Sequence, residues 1–167
     1  MTETVLKEKN GEHPSGHAGQ LISFLAFAAV WAADSFFGHW STFPARDVPL
    51  AARLALLGLA LLTAVSLIRS AGAVHHIEGE SDHVVTTGAY RHVRHPIYLG
   101  VMLGYLGMAL ATGSLLSLGV LLGIFFYYNY IAGYEEKLLE ARFGAAYQEY
   151  KARTGKWVPN ILATRQK

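Results

Sequence analysis

HVVTTGAYRHVRHPIYLG, residues His83 to Gly100, is the stretch on which the reading of this chain turns. His83, Tyr90, Arg91, His92, Arg94, His95 and Tyr98 crowd into it, and long apolar runs lie on both sides. Polar density beside membrane-length hydrophobic sequence calls for chemistry, for a topological turn, or for both. Its second half also reads as a helix start. Pro96 suits the first helical position, where a missing N–H costs nothing. His95 before it then sits at the helix N-terminus, where backbone N–H groups and the positive dipole end favour an anion. Tyr98 follows on the same face one turn later, and Arg91 and Arg94 add cationic donors. The result is an aromatic, cationic edge between polar and apolar sequence.

Working outward, composition places that edge at a membrane. The 167 residues are 52% hydrophobic and only 16% charged, against about 25% charged in soluble domains. The length allows one domain, so any chemistry must be built from membrane helices and their ends. A net charge of +2 is too mild to imply nucleic acid. With no cysteine, disulfides, thiolate metal sites and thiol nucleophiles are excluded.

The chain divides into residues 1–20, a polar tail without a signal-peptide pattern; 21–68, two membrane helices; and 69–167, the part that carries the polar edge. Leu21 to Trp40 has about the ~20 residues a span needs, with Trp31, Trp40 and Phe43 suited to an interfacial belt. Asp34 lies near its far end, within reach of headgroups. Ser41 to Pro49 is a turn, and Leu50 to Ile68 a second span built from Leu and Ala. After the polar connection Arg69 to Pro96 come Ile97 to Thr112, slightly short for a crossing, and Leu115 to Ile131, joined by Gly113-Ser114. From Tyr134 the spacing of Leu138, Leu139, Phe143, Tyr147 and Tyr150 predicts an amphipathic helix interrupted near Gly144. The expected fold is therefore all-α and integral to the membrane, with about four transmembrane helices and a C-terminal amphipathic cytosolic helix. Lys and Arg gather in the tail, the long connection and the C-terminal part, which puts both termini in the cytosol, most simply across a bacterial inner membrane.

The chemistry-bearing residues allow several readings. His75, His76, His83, His92 and His95 share one connection, but no HExxH and no second cluster completes a metal site, so no metal is expected. Gly100, Gly104 and Gly107, answered by Gly119 and Gly123, suggest close helix packing. Glu135 and Glu136 return to the interface at the end of the last span. With Arg94 and His95 they offer acceptors for an ammonium and donors for a carboxylate, as an amino-acid moiety requires.

TTGAYRHVRHPIYLG, followed by a glycine-containing hairpin and EEKLLEARFGAAYQEYKARTGKWVP, resembles the membrane-embedded isoprenylcysteine carboxyl methyltransferase family over roughly residues 69 to 159. The resemblance implies an S-adenosylmethionine-dependent methyltransferase without a Rossmann domain. Carried over by motif position, the cofactor residues are Asp82, His83, Val84, Val85, Tyr90, His95, Pro96, Ile97, Tyr98 and Glu135. His75 stands where the family has a glutamine. Four residues before Glu135, where the eukaryotic enzymes carry an arginine for the substrate carboxylate, this chain has Ile131. Arg153 is the expected stand-in, and Glu136, His95 or His92 the expected base should the acceptor require one.

A carboxylate acceptor, ionised near pKa ~4, needs alignment rather than a base; an amine or hydroxyl needs one. The expected partner is a lipid-like or prenylated acceptor, small molecule or protein, reached from the membrane lipid, with carboxylate O-methylation favoured. Phospholipid-type N-methylation is the alternative, and a non-catalytic membrane interaction protein of the same fold stands outside the enzyme class.

Overall fold

The computed structural model describes residues 16–78 and 83–160, and side-chain surroundings for 18–74 and 83–160. Most of the expected tail, Asp82, and the side chain of His75 lie outside the described residues. Among the described residues five α-helices follow one another: α1 (Gly16–Ala32), α2 (Leu50–Glu78), α3 (Pro96–Thr112), α4 (Leu115–Phe143) and α5 (Ala145–Arg153). No strand occurs among the described residues; one isolated bridge pairs Val93 with Gly155. Ala18–Gly38, Leu50–Val74 and Leu115–Phe143 are each long and apolar enough to cross a membrane, while Pro96–Thr112 is apolar but shorter. The fold is all-α and membrane-integral.

Two boundaries differ from the sequence expectation. The second helix does not stop at Ile68 but continues to Glu78, so Arg69 and His75 belong to it. Polarity ends the membrane signal there, yet Arg69–Glu78 holds no proline to break the helix. Likewise the last span and the first half of the amphipathic stretch are one helix of 29 residues. It breaks at Gly144, whose φ of +55° suits glycine.

The chain forms two units that interleave in sequence; their described residues are 16–66 with 100–129, and 67–78 and 83–99 with 130–160. In the first unit, α1 widens into a π-helical turn, Ala33–Gly38, closed by His39 N–H donating to the Asp34 carbonyl at 2.8 Å. The Asp34 side chain is fully buried, which corrects the expectation that it reaches headgroups. Its carboxylate accepts from Ser41 N–H at 2.9 Å, the Ser41 hydroxyl, and the Ser114 hydroxyl at 2.6 Å. Ser114 is also the N-cap of α4, accepting from Ser117 N–H at 3.1 Å, and the Ser41 hydroxyl takes Leu116 N–H at 3.0 Å. Asp34 thus sits at the positive end of α4, and donors that a helix start leaves unpaired are satisfied.

Other contacts in this unit run through α3. Phe27 stacks on Tyr105 with centroids 4.4 Å apart, and Trp31 Nε1 donates to the Met108 carbonyl at 3.2 Å. A Cβ on Gly107 would meet that of Ala60 at 2.6 Å, and one on Gly104 would touch Ala64 at 4.0 Å. The glycines of α3 therefore let α2 approach. Gly119 and Gly123 do not answer them as expected: nothing lies within 4 Å of either added Cβ. Spacing alone does not distinguish a packing stripe from an open one.

Asp34→Ala removes the acceptor of buried donors and is expected to cost about 2–3 kcal/mol. A thermal midpoint in detergent equal to wild type would contradict the role given to it. Gly107→Ala is expected to lower the midpoint, since the methyl has no room, whereas Gly119→Ala leaves it unchanged or raises it.

Candidate functional site

The second unit holds most of the residues singled out for chemistry. Pro96 opens α3, His95 precedes it, and the first helical bond runs from Leu99 N–H to the His95 carbonyl at 3.1 Å. The local sequence folds as expected because proline fits that first position. Upstream, Gly88 (φ +55°) presses against α2, where a Cβ would meet Val74 Cγ2 at 2.8 Å. The short 3₁₀ turn Gly88–Arg91 follows. The segment after α5 is tied to this region through backbone groups. Val93 bridges Gly155, Arg94 N–H donates to the Gly155 carbonyl at 2.9 Å, and the Tyr150 hydroxyl donates to the Tyr90 carbonyl at 2.8 Å.

Glu135 and Glu136 of α4 meet this assembly on both sides of one imidazole. His95 Nε2 lies 3.1 Å from Glu136 Oε1, and Nδ1 lies 3.7 Å from Glu135 Oε2. Tyr98 donates its hydroxyl to Glu135 Oε1 at 2.7 Å. Glu136 is buried and takes Arg94 Nε at 3.0 Å and Lys151 Nζ at 3.4 Å. Arg94 has further work: its Nη1 donates to the carbonyls of Lys151, at 3.2 Å, and Thr154. One guanidinium thus links α4, α5 and the segment after it. The Trp157 ring lies 5.7 Å from that of His95, and the Tyr98 ring 6.0 Å.

Of the residues expected at the site, His95, Pro96, Tyr98, Glu135 and Glu136 come together. Pro96 is fully buried and Ile97 half-buried beside them. Val84, Val85 and Tyr90 are half-buried in the loop before α3, and His83 is exposed there. Arg153 points away: its side chain is 62% exposed and pairs with Glu149 one turn earlier at 3.4 Å. His92 is also exposed. Sequence reasoning missed Lys151, Lys156 and Trp157. The last two stand in the GKWVP run that ends the motif, but nothing in their spacing signals that a backbone bridge brings them back to His95. Among the described residues no three His, Asp or Glu side chains gather as a metal-binding group.

Burial disfavours the His95 imidazolium, and Glu136 offsets this only in part, so His95 titrates below its ordinary 6.5. Glu135 and Glu136 from α4, Lys156 from the C-terminal segment and neighbouring Arg94 are the charges that act on it. As pH falls, the unfolded chain takes up this proton before the folded one does. The stability contribution is therefore whole above about pH 6.5 and is lost progressively below it. The thermal midpoint is expected to fall further between pH 7 and pH 5 in wild type than in His95→Gln; equal falls would contradict this.

Comparison with known proteins agrees with the geometry. Residues 49–146 match the profile of the family described as phospholipid methyltransferase. The chain is 31% identical over 160 residues to the cobalt-zinc-cadmium resistance protein CzcN of Cupriavidus metallidurans, covering 89% of this chain and 72% of that one. It is 39% identical over 84 residues to the protein-S-isoprenylcysteine O-methyltransferase of Saccharomyces cerevisiae, covering 49% of this chain and 35% of the yeast protein. No solved structure matches. The resemblance to the isoprenylcysteine enzymes holds, and with more than half of its length matched by the profile, the chain belongs to the phospholipid methyltransferase family.

Proposed function

We propose that this protein is an S-adenosylmethionine-dependent methyltransferase that modifies a lipid-like or otherwise apolar acceptor, a carboxylate in first place. The observation that carries the reading is the constellation of His95, Tyr98 and Glu135 beside the Trp157 ring. Its donors and acceptors suit the cofactor. The Glu135 carboxylate, oriented by Tyr98, takes an ammonium. The rings of Trp157, His95 and Tyr98 offer faces to a purine or a sulfonium. The start of α3 at Pro96 and Ile97 favours a carboxylate. When bound, the cofactor supplies an electrophilic methyl group on a sulfonium. The protein's part is to hold the acceptor oxygen in line and away from water.

Glu136 was expected, with His95 or His92, as the base should the acceptor require one. Its carboxylate is instead enclosed by Arg94, His95 and Lys151. It serves this reading better as a positioning residue that fixes the His95 ring. With Nε2–H donated to Glu136, Nδ1 keeps its lone pair. That arrangement, and the absence of a cation at buried Ile131, favour a second reading, phospholipid-type N-methylation with His95 taking the amine proton. The basic residues Arg69, Arg91, Arg94, Lys137, Arg142, Lys151 and Lys156 against Arg46 and Arg53 support a site at the cytosolic face of a bacterial inner membrane with both termini on that side.

Isothermal titration of the purified protein in detergent is expected to show S-adenosylmethionine binding, weakened at least tenfold by Glu135→Ala or His95→Ala. No binding by wild type would overturn the proposal. With radiolabelled methyl and membrane extract, base-labile label indicates an ester, and stable label in phospholipid indicates N-methylation.

A further inference from the structure

Four apolar helical segments end or begin along one rim of the first unit. Ala18–Gly38 and Pro96–Thr112 end there, and Leu50–Val74 and Leu115–Phe143 begin there. The connections between them touch. A Cβ on Gly113 would stand 2.7 Å from the Ala45 nitrogen, and the Ser41 hydroxyl takes Leu116 N–H at 3.0 Å. Trp40 on this rim is 69% exposed, as suits an indole at a headgroup boundary. The rim therefore marks one surface of the membrane.

Arg53 lies one turn inside that boundary, in the span that opens at Leu50. Its side chain is half-buried. Nη1 donates to the Ala111 carbonyl at 3.2 Å, on the last turn of α3. Nε is shielded from solvent and has no hydrogen-bond partner among the described residues. A carbonyl satisfies one of five guanidinium donors but supplies no counter-charge. The described carboxylates of this unit are Asp34, which is enclosed by Ser41 and Ser114, and Asp47, which is exposed. A second guanidinium belongs to the same rim: Arg46 closes the turn Phe43–Ala45 and is exposed.

At this depth the anion at hand is a lipid phosphate. An arginine just inside a membrane boundary extends toward the headgroups, and its planar fork matches phosphate oxygens. Leu50, Leu54 and Leu61, exposed and on one face of α2, offer apolar surface to acyl chains beside it. We propose that Arg53, assisted by Arg46, holds the phosphodiester of a phospholipid at this rim. The lipid is a bound structural component at the C-terminal end of α3, while the His95 cluster stands at its N-terminal end.

Native mass spectrometry in a maltoside detergent tests this with phosphatidylglycerol and with diacylglycerol of the same chains, which lacks the phosphate. Wild type is expected to bind phosphatidylglycerol about tenfold more tightly than diacylglycerol. Arg53→Gln, whose amide can still reach the Ala111 carbonyl, is expected to lose that preference. Arg46→Gln changes an exposed side chain and so leaves the fold intact; it is expected to reduce the preference about threefold. It keeps the test decisive should Arg53→Gln fail to fold. Equal wild-type affinity for the two lipids overturns the proposal, as does a preference that neither variant lowers. Displacement of the bound lipid by millimolar inorganic phosphate also overturns it, since the rim would then serve a soluble anion.

Discussion

A single buried carboxylate, that of Glu136, organises the functional unit. It projects from the end of a 29-residue helix and gathers Arg94, His95 and Lys151 around two oxygens. A buried carboxylate is unfavourable unless it is hydrogen-bonded and paired, so these partners are a condition of its being there. Once Arg94 is fixed on Glu136, its remaining donors fix the carbonyls of Lys151 and Thr154. The end of α5 and the segment after it then follow. His95 is fixed by the same oxygen, and its ring orientation sets where Glu135 and Trp157 can act.

The other unit repeats the principle with different groups. Asp34 is wholly buried, and its partners are serine hydroxyls and backbone N–H groups rather than cations. Where little water is available, each polar group must find a partner in the protein. Hydroxyls on Ser41 and Ser114 serve twice, donating to Asp34 and accepting from the first turn of α4. The two carboxylates differ in what they hold. Asp34 closes a turn, while Glu136 holds the Arg94 guanidinium and the His95 ring.

How much of this was legible follows from how far apart the interacting residues lie. The helix start at His95–Pro96 and the placement of Tyr98 beside it could be read directly, because the information is local. The fold class could be read because hydropathy reports the solvent of each segment. Hydropathy does not report where a helix ends, so α2 was expected to stop at Ile68 although it continues through Arg69 to Glu78. Asp34 was misread because its partner Ser114 is 80 residues away. Arg153 looked like the missing cation on charge alone, yet helical geometry turns it toward Glu149 and away from the cluster. Glu135 could be read from its return to the interface occupied by His95 and Arg94, although two adjacent glutamates in a polar helix are more often a solvated surface, and the family resemblance then gave it a cofactor role. Lys156 and Trp157 were invisible for a physical reason: the interaction that returns them to His95 is made by main-chain atoms of Val93, Arg94 and Gly155.

That last feature bears on how such a site diversifies. The strap from Tyr150 to Trp157 is fastened by the Arg94 side chain on the carbonyls of Lys151 and Thr154, by the Tyr150 hydroxyl on the Tyr90 carbonyl, and by main-chain atoms of Val93, Arg94 and Gly155. Apart from Tyr150, whose hydroxyl takes part, and Gly155, where a Cβ would meet the Val158 carbonyl, side chains along it can change while the fastening stays. A relative could exchange the residue at 156 or 157, and with it the shape and charge beside His95, on an unaltered frame. The wall beside the imidazole is in this sense an interchangeable panel.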